Sequence, residues 1–135
     1  MLYNCIKKYS DELNFALIAW VILPDHFHLL FDSNESNLSD ILHRIKLSFS
    51  SQYRKLKNLR SGNIWQHRFW DHIIRNQEDF NNHINYIHYN PVKHGITTDP
   101  KKWEHSSFLD YYSNGFYSED WGVVDKMIFL GDYGE

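Results

Sequence analysis

Two short runs carry the residue types that handle phosphate chemistry. The first is His26-Phe27-His28. On a strand, residues i and i+2 share a face, roughly 7 Å apart along the chain, so two imidazoles placed this way can ligate one divalent ion while Phe27 turns into the core. The plain alternative is a pair of hydrogen-bonded histidines on a half-exposed strand, and a His-x-His by itself favours that alternative. The second run holds Tyr86 and Asn90. Four residues apart on a helix, they share a face. Together the two runs supply two ring nitrogens and an amide oxygen for a metal, with a phenol as nucleophile. That set suits phosphodiester transfer: a metal polarises the phosphate and the phenol attacks to give a covalent intermediate. Tyr89, on the same helix, is the competing phenol. It neighbours Asn90 in sequence, so its side chain should diverge from an ion that Asn90 helps to hold.

The elements that must position these groups are legible from periodicity. Leu2, Cys5, Ile6, Tyr9 and Leu13 mark a helix over 2–13, and Asn14 is a stop. Phe15 to Leu23 is apolar throughout and predicts a buried strand without clean alternation. Pro24-Asp25 breaks it, and His26 to Asp32 follows as a hairpin partner. Leu38, Ile41, Leu42, Ile45, Phe49, Tyr53 and Leu56 predict a long amphipathic helix. Asn37 or Ser36 can cap that helix, and Ser61-Gly62-Asn63 closes the unit. A third strand is expected over Ile64–Arg75. A helix over Glu78–Asn90 should stop at Pro91, because the residue before a proline avoids the helical region. Beyond Trp103 only weak helix and turn signals remain.

At 135 residues the chain makes one domain, and 42% apolar content excludes a disordered chain. No apolar run reaches the roughly 18 residues of a membrane span, the start lacks the order of a signal peptide, and Cys5 alone cannot form an intrachain disulfide. A cytoplasmic, nucleoid-associated protein with no membrane partner is expected. The net charge of −3 is uneven: Trp103 to Glu135 holds seven acids against Lys126, whereas Leu42 to Arg60 holds six cations and no acid. That cationic run reads either as a solvated helix face or as a phosphate-facing stripe.

Taken together, Ala19-Trp20-Val21-Ile22-Leu23-Pro24-Asp25-His26-Phe27-His28-Leu29-Leu30 resembles the HUH segment of the single-tyrosine transposases. Tyr86-Ile87-His88-Tyr89-Asn90-Pro91-Val92-Lys93-His94-Gly95 resembles the tyrosine helix of their REP-associated branch. Ile64 to Arg75 and Trp103-Glu104-His105-Ser106-Ser107-Phe108 are similar to further elements of that branch, so the likeness spans about Phe15 to Tyr112. It implies an α+β fold, a ferredoxin-like antiparallel sheet with helices on one face. It also implies cutting of single-stranded hairpin DNA with Mg2+ or Mn2+ through a 5′-phosphotyrosine. By motif position His26, His28 and Asn90 would hold the metal, with Asn90 standing where relatives carry a glutamine, and Tyr86 would be the nucleophile. Arg44, Lys46, Arg54, Lys55, Lys57, Arg60, Arg68 and Lys93 would meet the DNA, and Trp65 or Phe69 would stack on bases.

Residues 1–112 are accordingly expected to form the catalytic domain, and 113–135 an acidic aromatic tail that opposes or masks DNA binding. The family's fold begins with a strand ahead of the first helix, and Met1 opens almost directly into that helix. A decayed copy, an N-terminally incomplete chain, or a second copy that fills the gap as a homodimer would each account for this. Two other functions stay open: a hairpin-binding relic without catalysis, and a metal-binding regulatory domain.

Overall fold

The computed structural model describes residues 2–33, 37–58, 72–123, 129 and 133. They form an α+β structure with a two-stranded antiparallel sheet, four α-helices and one 3-10 turn. The chain divides into two compact units, 1–17 with 31–71, and 18–30 with 72–135.

In the first unit, α1 (Leu2–Glu12) packs against α2 (Leu38–Lys57). Spacings of three and four residues put Leu2, Cys5 and Ile6 on one buried face of α1, and Ile41, Leu42 and Ile45 on one of α2. The Cys5 sulfur accepts from Ser48 and Gln52 of α2. Asn14 ends α1 in the left-handed region, φ 56°, a conformation asparagine tolerates better than most residues. The α2 cap is Asn37, whose side chain accepts from the Asp40 N–H at 3.0 Å. Asn58, φ 58°, closes the helix with its N–H on the carbonyls of Arg54 and Lys55. The helix thus ends before the turn expected at Ser61–Asn63, which lies outside the described residues.

In the second unit, the Leu23 N–H donates to the His26 carbonyl at 2.8 Å, so Pro24-Asp25 is a two-residue hairpin link between β1 (Ala16–Ile22) and β2 (Phe27–Asp32). β1 does alternate, contrary to the sequence expectation: Ala19, Val21 and Leu23 are buried in a cluster with Leu30 and Ile87, whereas Trp20 and Ile22 are half-buried. The reason is the pleat, which turns successive side chains to opposite faces of the sheet, and the segment 105–107 lies along the edge of β1 like a third strand. Ile22 N–H donates to His105 O, Ser107 N–H donates to Trp20 O, and Val21 pairs with Ser106. The Trp103 indole N–H adds a bond to Ile22 O at 3.0 Å. This edge is therefore satisfied by hydrogen bonds. Among the described residues no strand other than β1 pairs with β2. Of the strand expected over Ile64–Arg75, residues 64–71 lie outside the described set and 72–75 run without strand pairing.

The helix α3 (Gln77–Lys93) starts at Asn76, whose side chain accepts from Asp79 N–H at 2.8 Å, and runs three residues past its expected end. Pro91 costs one backbone donor, but it sits in the last turn, and His94 N–H still reaches Asn90 O at 3.0 Å. A 3-10 turn (Pro100–Lys102) and α4 (Phe108–Ser113) follow. At the centre lies His88 of α3, completely buried. Its Nδ1 is 2.7 Å from the Tyr117 hydroxyl and its Nε2 is 2.7 Å from Ser107 Oγ. Tyr117 donates to Asn85, so a consistent network has Nδ1–H donating to Tyr117 and Nε2 accepting from Ser107.

Burial drives the His88 pKa down to about 3 from the usual 6.5. A base whose folded pKa is depressed takes up its proton first in the unfolded chain. Stability from this residue is therefore whole above about pH 6.5 and drains away as the pH falls towards 3, at up to about 1.4 kcal/mol per pH unit. His88→Gln should be less stable at pH 7 but lose less between pH 7 and 5, as read from urea unfolding. An identical pH dependence in both proteins would contradict a neutral buried His88.

Candidate active site

The hairpin link aims the Asp25 carboxylate at the first histidine, with Oδ1 2.6 Å from His26 Nδ1. The hydrogen bond and charge of His26 pull the Asp25 pKa below its ordinary value. A carboxylate on one ring nitrogen fixes the ring and leaves Nε2 as the lone-pair nitrogen, the arrangement found behind metal-bound histidines. The His26 and His28 rings meet edge-on with centroids 5.2 Å apart. From α3, Tyr86 sets its ring edge-on to His28 at 5.6 Å. One turn on, Asn90 is completely buried. At the helix end, His94 approaches His26 at 5.1 Å. Tyr89 goes elsewhere, against Trp121 and Phe129.

Lys93 Nζ donates to the Tyr86 hydroxyl at 3.1 Å and sits 5.0 Å from its ring centroid. A single neighbourhood thus holds two imidazoles, one of them oriented by a carboxylate, and a tyrosine whose hydroxyl accepts from a lysine.

A family model described as "Transposase IS200 like" matches residues 1–90. A protein of Haemophilus influenzae named as a REP-associated tyrosine transposase is 38% identical over 139 residues, covering 96% of this chain and 79% of its own. The Escherichia coli REP-associated tyrosine transposase is 36% identical over 126 residues, covering 90% and 71%. The chain belongs to the IS200-like transposases, in the REP-associated tyrosine branch. A solved structure of a REP-associated tyrosine transposase bound to a REP hairpin aligns with a TM-score of 0.79 at 32% identity, covering 98% of this chain and 76% of that one.

In this transposase the donor set of His26, His28 and Asn90 fits a divalent ion of borderline character. Two ring nitrogens and one amide oxygen suit Mn2+ better than Mg2+, which prefers oxygen alone, and Asp25 already orients one of the rings. Sequence reasoning passed over Asp25, His94 and the contact of Lys93 with Tyr86. Two signals were present: an acid immediately before the first histidine, and a histidine four residues after Asn90.

Two residues near the C-terminus cover the tyrosine. Tyr133 stacks on the Tyr86 ring at 4.2 Å and 13°, and Phe129 meets it edge-on at 5.2 Å. Tyr86 is 3% exposed. Earlier residues of the same region serve the core: Tyr117 and Trp121 pack on Phe108.

The expected DNA-facing cations do not form one stripe. At about 100° per residue, Arg44 and Lys55 flank one side of the buried face of α2, and Lys46 and Lys57 flank the other. Arg44 also pairs with Asp40 at 3.2 Å, and burial lowers the Lys46 pKa. Arg54 is half-buried. Lys93 lies at the tyrosine, and Arg60, Trp65, Arg68 and Phe69 lie outside the described residues.

If Phe129 and Tyr133 shield the phenol, a Phe129→Ala/Tyr133→Ala protein should show several-fold faster nitration of Tyr86 by tetranitromethane, read by peptide mass spectrometry. Unchanged reactivity would mean that other groups bury the ring.

Proposed function

We propose that this transposase cuts and rejoins one strand of hairpin-bearing DNA through a 5′-phosphotyrosine on Tyr86. The observation that carries the reading is the Tyr86 hydroxyl, held by Lys93 with its ring against His28. The hairpin is the ligand of the solved relative, and the same class of DNA is proposed here. A divalent ion held by His26, His28 and Asn90 would supply Lewis-acid polarisation of the scissile phosphate.

The chain's own residues do the rest. Tyr86 Oη releases its proton to solvent as it attacks phosphorus, and the nearby Lys93 cation stabilises the oxygen anion. The Oη–P bond forms as the P–O3′ bond breaks, and the departing 3′-oxygen takes a proton from solvent. The reverse step, a 3′-hydroxyl attacking the phosphotyrosine, rejoins a strand without an external energy source, because the phosphodiester energy is kept in the covalent link. Asp25 keeps His26 in the tautomer that ligates.

A second reading, hairpin binding without cutting, is favoured by one observation: Tyr133 and Phe129 sit on the nucleophile. The two readings separate in one experiment. A hairpin oligonucleotide with a single-stranded flank is incubated with the protein and Mn2+, and a protein–DNA adduct that survives denaturation is sought. Nicking predicts an adduct in the wild type and none in Tyr86→Phe, which still binds the hairpin within a few-fold. Lys93→Met should slow adduct formation by roughly 10²-fold with little effect on hairpin affinity. Binding without adduct in the wild type would establish the second reading.

A further inference from the structure

Ahead of Tyr86, the first turns of the same helix and the segment leading into it carry a second group of ligand-type side chains. His72, Asp79 and His83 each offer one nitrogen or carboxylate oxygen, and these atoms all lie within 4.8 Å of one another. Among the described residues this is the group of three or more histidine, cysteine or acidic side chains drawn together so closely. His72 Nε2 is 2.7 Å from Asp79 Oδ2, and His83 Nδ1 is 3.2 Å from Asp79 Oδ1. The two imidazoles stack at 4.6 Å with 12° between their planes.

A hydrogen-bonded ion-pair cluster would account for part of this. The His72 ring and the Arg75 N–H both serve the Asp79 carboxylate, and together they hold its pKa below the ordinary value. It leaves His83 unexplained. Nδ1 of His83 lies 2.9 Å from the Asp79 backbone carbonyl, which can only accept, so Nδ1 carries the proton and Nε2 carries the lone pair. That Nε2 is buried and has no hydrogen-bond partner, on a side chain only 13% exposed. An orphaned buried polar atom is costly. A ring whose other nitrogen donates to a backbone carbonyl is the usual state of a metal-bound histidine.

We propose that His72, Asp79 and His83 form a second divalent-cation site, separate from the His26–His28 pair. Two imidazoles and one carboxylate select a borderline transition ion such as Zn2+ over Ca2+ or Mg2+. Bonds of about 2.0–2.2 Å hold neighbouring ligand atoms roughly 3.4–4.2 Å apart, so binding an ion requires the two stacked rings to turn out of parallel until both lone pairs face it. Such an ion ties residues 72–75 to the first turns of α3. It also lies beside Tyr133, whose ring contacts His83 at 4.8 Å and Tyr86 at 4.2 Å. The proposal does not depend on the nicking chemistry.

The test uses the full chain and Zn2+ alone, read by calorimetric titration. The His26→Ala/His28→Ala protein, folded by circular dichroism, should still bind one equivalent. Adding His83→Ala to that protein should weaken binding on the order of 10–100-fold or more, and adding Asp79→Asn should do the same. In parallel, Mn2+ added to the His26→Ala/His28→Ala protein should broaden the imidazole proton resonances of His72 and His83 before that of His105. This second readout needs no change at the proposed ligands and decides the matter if His83→Ala fails to fold. Loss of all Zn2+ binding in His26→Ala/His28→Ala, or undiminished affinity after His83→Ala in a folded protein, would overturn the site, and so would Mn2+ broadening that spares both rings.

Discussion

The arrangement of the second unit depends on a neutral histidine buried between a serine and a tyrosine. His88 ties α3 on one side to Ser107 and on the other to Tyr117. Ser107 is in turn held by both the N–H and the carbonyl of Trp20 in β1. These bonds set the roll of α3 about its own axis. At about 100° per residue, Tyr86 and Asn90 each lie about 200° from His88, on the opposite side of the helix and within about 40° of one another. Pinning His88 to the β1 edge therefore turns Tyr86 towards His28 of the next strand. Were His88 to carry a charge, its Nε2 could no longer accept from Ser107, and the helix that carries Tyr86 would lose its anchor.

The aimed face is a polar stripe on a helix that otherwise feeds an apolar core. Ile87 joins the cluster of Ala19, Val21, Leu23 and Leu30, with Phe80 and Ile84 packed against it. Asp79, His83, Tyr86, Asn90 and His94 follow one another at spacings of three and four along the adjoining flank, roughly 90° round the helix. Placing tyrosine in that stripe puts its hydroxyl within reach of Lys93, one residue before the helix cap. The two-residue link at Pro24-Asp25 does the matching work on the sheet side, since it brings a carboxylate to His26 at the moment the chain reverses. Both halves of the site are thus set by short-range geometry, a tight turn and a helix roll, and require no long loop.

Much of this was legible in the sequence, because it rests on local rules. The hairpin link, the Asn37 cap, the stop at Asn14 and the shared face of Tyr86 and Asn90 all follow from spacing and turn chemistry. What was not legible depended on groups far apart in the chain. Alternation along β1 was hidden because Trp20 and Ile22 are apolar, although they are half-buried and lie outside the buried cluster of Ala19, Val21 and Leu23. The run of α3 through Pro91 was missed because a proline in a final turn forfeits one bond where few remain to be made. The cationic run on α2 reads as one stripe only in linear sequence; wound into a helix, Arg44 and Lys55 fall on one flank of the buried face and Lys46 and Lys57 on the other, with Arg54 between them on the far side. Lys93 looked like a phosphate contact by its charge, and its place on the Tyr86 hydroxyl needed the helix to be folded. The apposition of Phe129 and Tyr133 to Tyr86 joins residues more than forty positions apart, which periodicity does not report.

The central claim is that this roll of α3 makes Tyr86 the residue that joins DNA. The most direct measurement is to digest the denatured protein–oligonucleotide adduct with protease and nuclease and to locate the residual nucleotide by fragmentation mass spectrometry. The account predicts the nucleotide on Tyr86, through its phenolic oxygen. A nucleotide on Tyr89 or Tyr133 would contradict it, since those hydroxyls belong to rings that this geometry assigns to packing and to covering the site.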